Sequence, residues 1–383
     1  MSGPAALTAA WVAESGERIA AHFERELDAL VAVSSPSGDV AAAEEICALV
    51  AALLPDEATV ERLPCSTAGH APDLLATLAG TGSRRVLLLG HLDTVVAHAD
   101  HRSLAREGDR LVGSGAVDMK GGIALALGVM RALAPIPESF AELALLAVVD
   151  EEWRTGGFAH TSRFAGYDAC LCFEAGQLDG GEEAVVAKRK AAATLRVRGH
   201  GVAAHSGSAP EKGRNALLAL GEAARLVAAS SDPAGRDRLT AVPTVVRAGD
   251  AFNVVPADGE LFCDLRADSV EAFDPVLEAL PDEVGGAVLR ADFVRVWPGM
   301  DTREATAPLL AAASERLGRG VVGMERGGAS DASHLATTVP VTIDGLGPRG
   351  GGAHSPTEHV MANTLRERAE VALAVVGAAI APR

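Results

Sequence analysis

The sequence predicts an α/β fold, a mostly parallel sheet sandwiched by helices and interrupted by an inserted α+β unit. Short runs of branched apolar residues such as Val86-Leu87-Leu88-Leu89, bounded by arginine and glycine, read as strands buried on both faces. Ala- and Leu-rich segments alternate with them, and Ile46, Leu49, Val50 and Leu53 fall at the i, i+3, i+4 and i+7 spacing of an amphipathic helix. A length of 383 residues exceeds what one core usually serves, so two domains are expected.

Helices over residues 5–32 and 39–54 flank the turn Ser34-Ser35-Pro36-Ser37-Gly38. Strands follow over 74–78 and 86–89, the second running into Gly90-His91-Leu92-Asp93. Ligand sites in open α/β sheets lie beyond the carboxyl ends of strands, and residues i and i+2 of an extended chain face the same way. His91 and Asp93 therefore share one face at that edge, an arrangement suited to a metal-ligating imidazole oriented by a carboxylate. A polar loop over 98–110 leads to a glycine-rich turn over 113–122 around Asp118, and then to a helix over 122–133. The glycine spacing is not the GxGxxG of a dinucleotide site. A buried strand over 143–149 stops at Asp150-Glu151-Glu152, where neighbouring glutamates face opposite ways and cannot share one task. Another over 169–173 stops at Glu174.

From 189 to 297 the pattern changes to strand 194–198, helix 213–229, strands 239–247 and 259–266, helix 270–280 and strand 288–296. This β-α-β-β-α-β order is the split βαβ, or ferredoxin-like, sandwich. It divides the chain into 1–188, an insert over 189–297, and 298–383. Lys188-Arg189-Lys190 at the junction is expected to be an exposed hinge. The insert holds 13 Lys and Arg against 15 Asp and Glu, so −15 of the net −17 lies in the part carrying the strand-end carboxylates. The chain returns with a helix over 308–317, a glycine-rich turn over 327–331, a strand over 339–343, a loop over 350–358 containing His354, and a helix over 365–380.

A hydrophobic fraction of 48% is incompatible with a disordered chain, and the charge of −17 disfavours nucleic acid and anionic membrane surfaces as partners. No apolar run reaches the 18 or so residues that span a bilayer, and the N-terminus lacks the pattern of a signal peptide, so a cytoplasmic location is expected. The five cysteines are scattered without a CxxC pair and read as small buried hydrophobes.

His91, Asp93, Asp118, Glu151, Glu152, Glu174 and His354 thus gather at strand ends. Converging carboxylates repel one another unless protons or cations offset their charge. Carboxylate oxygens with one imidazole for each ion suit two divalent metal ions, zinc foremost, with cobalt and manganese as alternatives.

These motifs, taken in order, resemble the dinuclear zinc aminoacylases and carboxypeptidases, a family that includes acetylornithine deacetylase, succinyl-diaminopimelate desuccinylase and the carboxypeptidase G type. The segments carrying the resemblance are Gly90 to Thr94, Gly113 to Gly122, Asp150 to Glu152, Phe173-Glu174 and Gly352 to Ser355 with Glu358. In the insert they are Ala204-His205-Ser206-Gly207, Gly213 to Ala216, Asn253 to Pro256 and Asp264-Leu265-Arg266. The resemblance implies a zinc-peptidase-like catalytic domain with a lid that also makes a homodimer. It implies one ion on His91 and Glu174, a second on Glu152 and His354, and Asp118 bridging both. Glu151 is then the general base, Asp93 the orienter of His91, and His205 a donor to the oxyanion in a partner subunit's site. Asn253, Arg266 and Gly328 match positions that grip the substrate carboxylate, and the Asp118-Met119 peptide is expected to be cis.

Two departures stand out. Trp153-Arg154-Thr155 precede Gly156-Gly157 where the family places a glycine within two residues of the second glutamate, and Ala175 replaces a proline common after the third carboxylate. The implied activity is hydrolysis of an amide or peptide bond in a small amino-acid-containing substrate. Residues 327–332 and 340–358 are closest to the carboxypeptidase G type. The alternatives are an N-acyl amino acid deacylase and a non-catalytic dimeric binding protein on the same scaffold.

Overall fold

A computed structural model describes residues 7–382, so the expected first two residues of the opening helix lie outside the described residues. That helix, α1 (Ala9–Ala32), is capped by Thr8, whose side chain accepts from the Trp11 amide. Ile19, Phe23, Leu27 and Leu30 line its buried face. Asp39 caps α2 (Val40–Leu53) through the Ala42 amide at 2.9 Å.

The central sheet is built from β1 (Thr59–Leu63), β2 (Asp73–Ala79), β3 (Arg85–His91), β4 (Glu142–Val148), β5 (Ala169–Cys172) and a short β12 (Thr342–Ile343), in the order β1-β2-β4-β3-β5-β12. The pairings β4-β3, β3-β5 and β5-β12 are parallel, and the antiparallel β1-β2 unit adds to the edge at β4. Alternation along β3 serves two cores. Val86 and Leu88 pack with α1, with α3 (Gly121–Leu133) and with the C-terminal helix α8 (Leu365–Ile380). Leu87 and Leu89 pack on the other face with Phe158, Phe164 and Leu335 of the short helix α7 (Asp331–Leu335). A side chain of this kind moved from water into such a core contributes about 1.5–3 kcal/mol. This two-sided demand for apolar residues explains the uninterrupted run in the sequence.

A second sheet pairs β6 (Glu182–Arg189) in parallel with β11 (Val321–Arg326). Beyond β6 the chain forms β7 (Ala191–His200), α4 (Ala216–Ala229), β8 (Thr240–Ala248), β9 (Asp258–Ala267), α5 (Asp274–Glu278) and β10 (Ala287–Trp297). The strand order β8-β9-β7-β10 is wholly antiparallel, as a split βαβ sandwich requires, and Leu195, Leu220, Leu261 and Leu289 share its own core. The chain returns through α6 (Arg303–Leu317).

Some local expectations need correction. The helix expected over 270–280 is a 3-10 turn, Val270–Phe273, followed by the five residues of α5. Pro275 stands at the start of α5, where a missing N–H is tolerated. The helix placed at 308 begins at Arg303 and carries Pro308 inside it. The polar loop over 98–110 contains a 3-10 turn at His98–Asp100 and most of a small hairpin made by Ala105–Glu107 and Arg110–Val112. Lys188-Arg189-Lys190 is not an exposed hinge: Arg189 is buried, and its Nε donates to Asp344 at 2.6 Å. Four cysteines are buried as expected, whereas Cys65 is half-buried, and all five are free thiols. Among the described residues no helix is long and apolar enough to cross a membrane.

Candidate metal centre

Parallel register sets three chain ends side by side. His91 pairs with Val148 and Leu89 with Cys172, so Asp150-Glu151-Glu152 and Phe173-Glu174 emerge next to His91-Leu92-Asp93. The Asp118 turn reaches the same edge because α3 begins against the end of β5. A Cβ on Gly122 would stand 2.0 Å from the Phe173 carbonyl oxygen, which makes glycine obligatory there. The Asp118-Met119 peptide is cis, as the resemblance implies. Glu358, far along the chain, accepts from the amides of Gly115, Val117 and Asp118 at 2.9–3.0 Å and holds the turn in place.

Asp118 stands at the middle of the cluster. His91 Nε2 is 3.1 Å from its Oδ1 and 3.7 Å from Glu174 Oε1. His354 Nε2 is 3.1 Å from its Oδ2 and 3.2 Å from Glu152 Oε1. His354 takes a left-handed backbone conformation (φ 62°), uncommon for a residue with a Cβ and typical of strained functional positions. The five expected ligands therefore come together as two His-carboxylate pairs facing the two oxygens of one aspartate. Ligating atoms of His91, Asp118 and Glu152 lie within 4.8 Å of one another. Donor atoms about 2.0–2.1 Å from a tetrahedral zinc are roughly 3.3 Å apart, so these separations fit a first-row divalent ion on either side of Asp118.

The Asp93 carboxylate, expected to orient His91, makes its closer contacts elsewhere. His91 Nδ1 is hydrogen-bonded at 3.0 Å to the Asp93 backbone carbonyl, and the carboxylate is farther away, at 3.5 Å. That carboxylate accepts instead from the amides of Glu151 and Glu152, both at 3.1 Å, and so fixes the loop bearing these two glutamates.

The electrostatics show how poorly these groups tolerate one another without cations. Burial and the nearby Asp118 push Glu174 up to about 8. Hydrogen bonds from His354 and His91 overcome burial and hold Asp118 well below the carboxylate range. Hydrogen bonds to Asp118 and Glu152 raise His354 to about 10. Glu151, buried beside Asp331, Glu174 and Glu152, is raised well above an ordinary glutamate, mainly by desolvation.

The cluster forms the floor of a cavity of about 490 Å³. Its walls include Arg189, Arg266, Arg295, Arg326, Gly328 and the half-exposed Trp153. Of the expected substrate-binding residues, Arg266 and Gly328 reach the cavity and Asn253 does not; His205, expected to act in a partner subunit's site, is also absent from the cavity of its own chain. Both are exposed on the outer part of the insert, where Ala204–His205 pairs with Val254–Val255 and the Ser206 amide donates to the Asn253 carbonyl. The amides of Gly207 and Ser208 donate to His205 Nδ1, which assigns the ring proton to Nε2.

Several contributors escaped sequence reasoning. Arg154 is wholly buried and bonds Asp331 with both terminal nitrogens, while its Nε donates to Asp150 at 3.2 Å. Arg189 donates to the Gly328 carbonyl at 2.7 Å as well as to Asp344. The only sequence signal for Arg154 was its departure from the family pattern.

A carboxylate-rich centre at the ends of parallel strands, with the buried Glu151 beside it, is the kind of site a metal-dependent hydrolase carries. The chain belongs to peptidase family M20/M25/M40, whose profile matches residues 87–378. It is 28% identical over 354 residues to carboxypeptidase G2 of Pseudomonas sp. (strain RS-16), covering 86% of this chain and 82% of that one. It is also 28% identical over 318 residues to succinyl-diaminopimelate desuccinylase of Methylobacterium nodulans, covering 75% and 79%. Among solved structures, aminopeptidase PepT of Bacillus cereus superposes with a TM-score of 0.75 at 22% identity, covering 95% of this chain and 98% of that one. The family expected from the motifs is the family found, and the non-catalytic alternative gives way to a hydrolase.

Proposed function

We propose that the chain is a carboxypeptidase G-like enzyme that cleaves the amide bond of a peptidyl or N-acyl amino acid and releases the free amino acid. The observation carrying this reading is Asp118 placed between two equivalent His-carboxylate pairs with Glu151 beside them. The similarity to carboxypeptidase G2 along most of both chains supports it. Equal identity to a desuccinylase keeps N-acyl amino acid deacylation as the second reading.

In this proposal His91 and Glu174 would hold one zinc ion, Glu152 and His354 would hold the other, and Asp118 would serve both. The chemistry such ions supply when bound is polarisation of the scissile carbonyl and acidification of a water. Glu151 accepts the proton of the attacking water and delivers it to the leaving amine. Asp93 keeps Glu151, Glu152 and His91 in register. Arg266 and Gly328 take the substrate carboxylate from the lid side of the cavity.

The insert over 189–297 acts as lid and dimer interface between the two parts of the catalytic domain, 1–188 and 298–383, in a cytoplasmic homodimer. Val242, Val245 and Val246 of β8 and the fully exposed Phe252 supply apolar surface for that contact. His205 Nε2–H and Asn253 then complete the partner subunit's site, which explains their distance from the cavity of their own chain.

The test is a hydrolysis screen of N-acetyl, N-succinyl and peptidyl amino acids with zinc and with cobalt, alongside Glu151→Ala. Release of free amino acid by the wild type and not by the variant is expected. Turnover retained in the variant would overturn the role of Glu151.

A further inference from the structure

A second gathering of metal-ligating side chains lies at the same sheet edge, two strands away from His91. Strand β2 runs antiparallel to β4, so its first residue, Asp73, stands beside the carboxyl end of β4 and accepts from the Val149 amide at 3.0 Å. Leu63, the last residue of β1, pairs with Asp73, and the link that follows brings Cys65 to the same place. Donor atoms of Cys65, Asp73 and Asp150 all lie within 4.8 Å of one another. The buried His160 adds a fourth group, its Nε2 2.7 Å from Asp73 Oδ2. Asp150 directly precedes Glu151, yet its side chain does not line the cavity over the Asp118 centre. Its Oδ2 accepts instead from the Thr67 amide at 2.9 Å and the Thr67 hydroxyl at 2.6 Å.

The charges of this cluster do not cancel. Asp73, Asp150 and Asp331 are buried carboxylates. Among the described residues the cations bonded to them are Arg154, shared by Asp150 and Asp331, and His160 when protonated. One negative charge is left over where unpaired charge is costly. A divalent ion taken up by Cys65 removes that excess. The metal–sulfur bond replaces the S–H bond, the proton leaves to solvent, and the site gains a single positive charge. Burial, then the two carboxylates, push the Cys65 thiol up, so a cation is what draws its proton away. With metal–sulfur bonds of about 2.3 Å and metal–oxygen bonds of about 2.0–2.2 Å, the donors around a tetrahedral ion stand roughly 3.5 Å apart, so the three atoms close by about 1.3 Å at most. Cys65 is the half-buried cysteine among four buried ones, which leaves an ion a way in from solvent.

We propose that Cys65, Asp73 and Asp150 form a further site for a thiophilic divalent cation of the zinc and cadmium class, separate from the Asp118 centre. His160 orients Asp73, and the Thr67 hydroxyl gives up its place on Asp150 to the ion. A thiolate among the donors selects zinc over magnesium or calcium. Because Asp150 also holds Arg154 and adjoins Glu151, the ion braces the loop of Glu151 and Glu152 from behind.

Cadmium is the probe, because thiolate ligation gives an ultraviolet charge-transfer band that carboxylate and imidazole ligation does not. Ions taken up by the Asp118 centre, which has no thiol, are silent. Titration of the full chain with cadmium chloride should raise the band to saturation at one thiolate-bound ion per chain, and zinc should bleach it by competition. Cys65→Ser should abolish the band, and Cys47→Ser should keep it. Asp73→Asn, which retains the thiol, should weaken cadmium binding by about tenfold or more, and His160→Gln by about 10–100-fold, the usual effect of losing a partner that orients a metal ligand. A wild-type chain without the band overturns the proposal. So does a band that survives Cys65→Ser, or binding unchanged in Asp73→Asn. The band is read without turnover, so a failed hydrolysis screen counts against the hydrolase reading alone.

Discussion

Arg154 grips both carboxylate oxygens of Asp331 from 177 positions away in sequence, and both side chains are buried. The pair ties the loop carrying Glu151 and Glu152 to the turn carrying Gly328, with Asp150 as a second acceptor for Arg154. Removing one partner of such a buried pair leaves an uncompensated charge, which usually costs about 3–5 kcal/mol. Arg154→Met should therefore lower the midpoint of urea unfolding sharply. A change within about 1 kcal/mol would show that the pair contributes little to the folded state.

Replacing Asp93 by alanine frees the amides of Glu151 and Glu152 together. Loss of a residue that orients metal ligands typically costs about 10–100-fold in metal affinity or activity. Zinc titration against a competing chelator should detect the weaker binding, and kcat should fall with it.

Glu151→Gln separates chemistry from metal binding. A general base contributes about 10²–10⁴-fold, so turnover should fall by at least that range while metal content measured by elemental analysis stays at the wild-type value. Loss of metal alongside turnover would make Glu151 a ligand instead.

Chelation should act on stability as well as on activity. With free metal at 100 times its dissociation constant, binding to the folded state alone adds about 2.7 kcal/mol. The melting temperature should fall on removal of metal and recover on adding zinc. An unchanged melting temperature would count against a resident ion at the Asp118 centre.

His334 gives a pH signature. Its ring stacks on Phe158, meets Trp297 edge-on, and is pushed down to about 4 mainly by burial. The folded protein holds it neutral while the unfolded chain protonates it near pH 6.5, so its share of stability is complete above 6.5 and is lost as pH falls towards 4. The slope from one such group is about 1.4 kcal/mol per pH unit. Stability of His334→Leu measured across pH 4–7 should depend less on pH than that of the wild type.

Strand ends were the legible part of this chain. The doubly buried strands β3, β4 and β5 announce themselves by uninterrupted apolar runs, and the polar residues that stop them are the ones the register brings together. The β-α-β-β-α-β insert was equally readable from its periodicity. What sequence could not convey depends on pairing across long separations. Arg189 among lysine and arginine neighbours looks like a solvated hinge until Asp344 is seen beside it. His205 and Asn253 carry recognisable motifs, yet they lie outside the cavity of their own chain.

Glu358 has a consequence for biosynthesis. The Asp118 turn is held by a carboxylate 240 residues later, and His354, one of the two imidazoles facing Asp118, belongs to the same late segment. A nascent chain on the ribosome that already carries His91, Glu152 and Glu174 cannot assemble the paired arrangement until His354 and Glu358 have emerged as well.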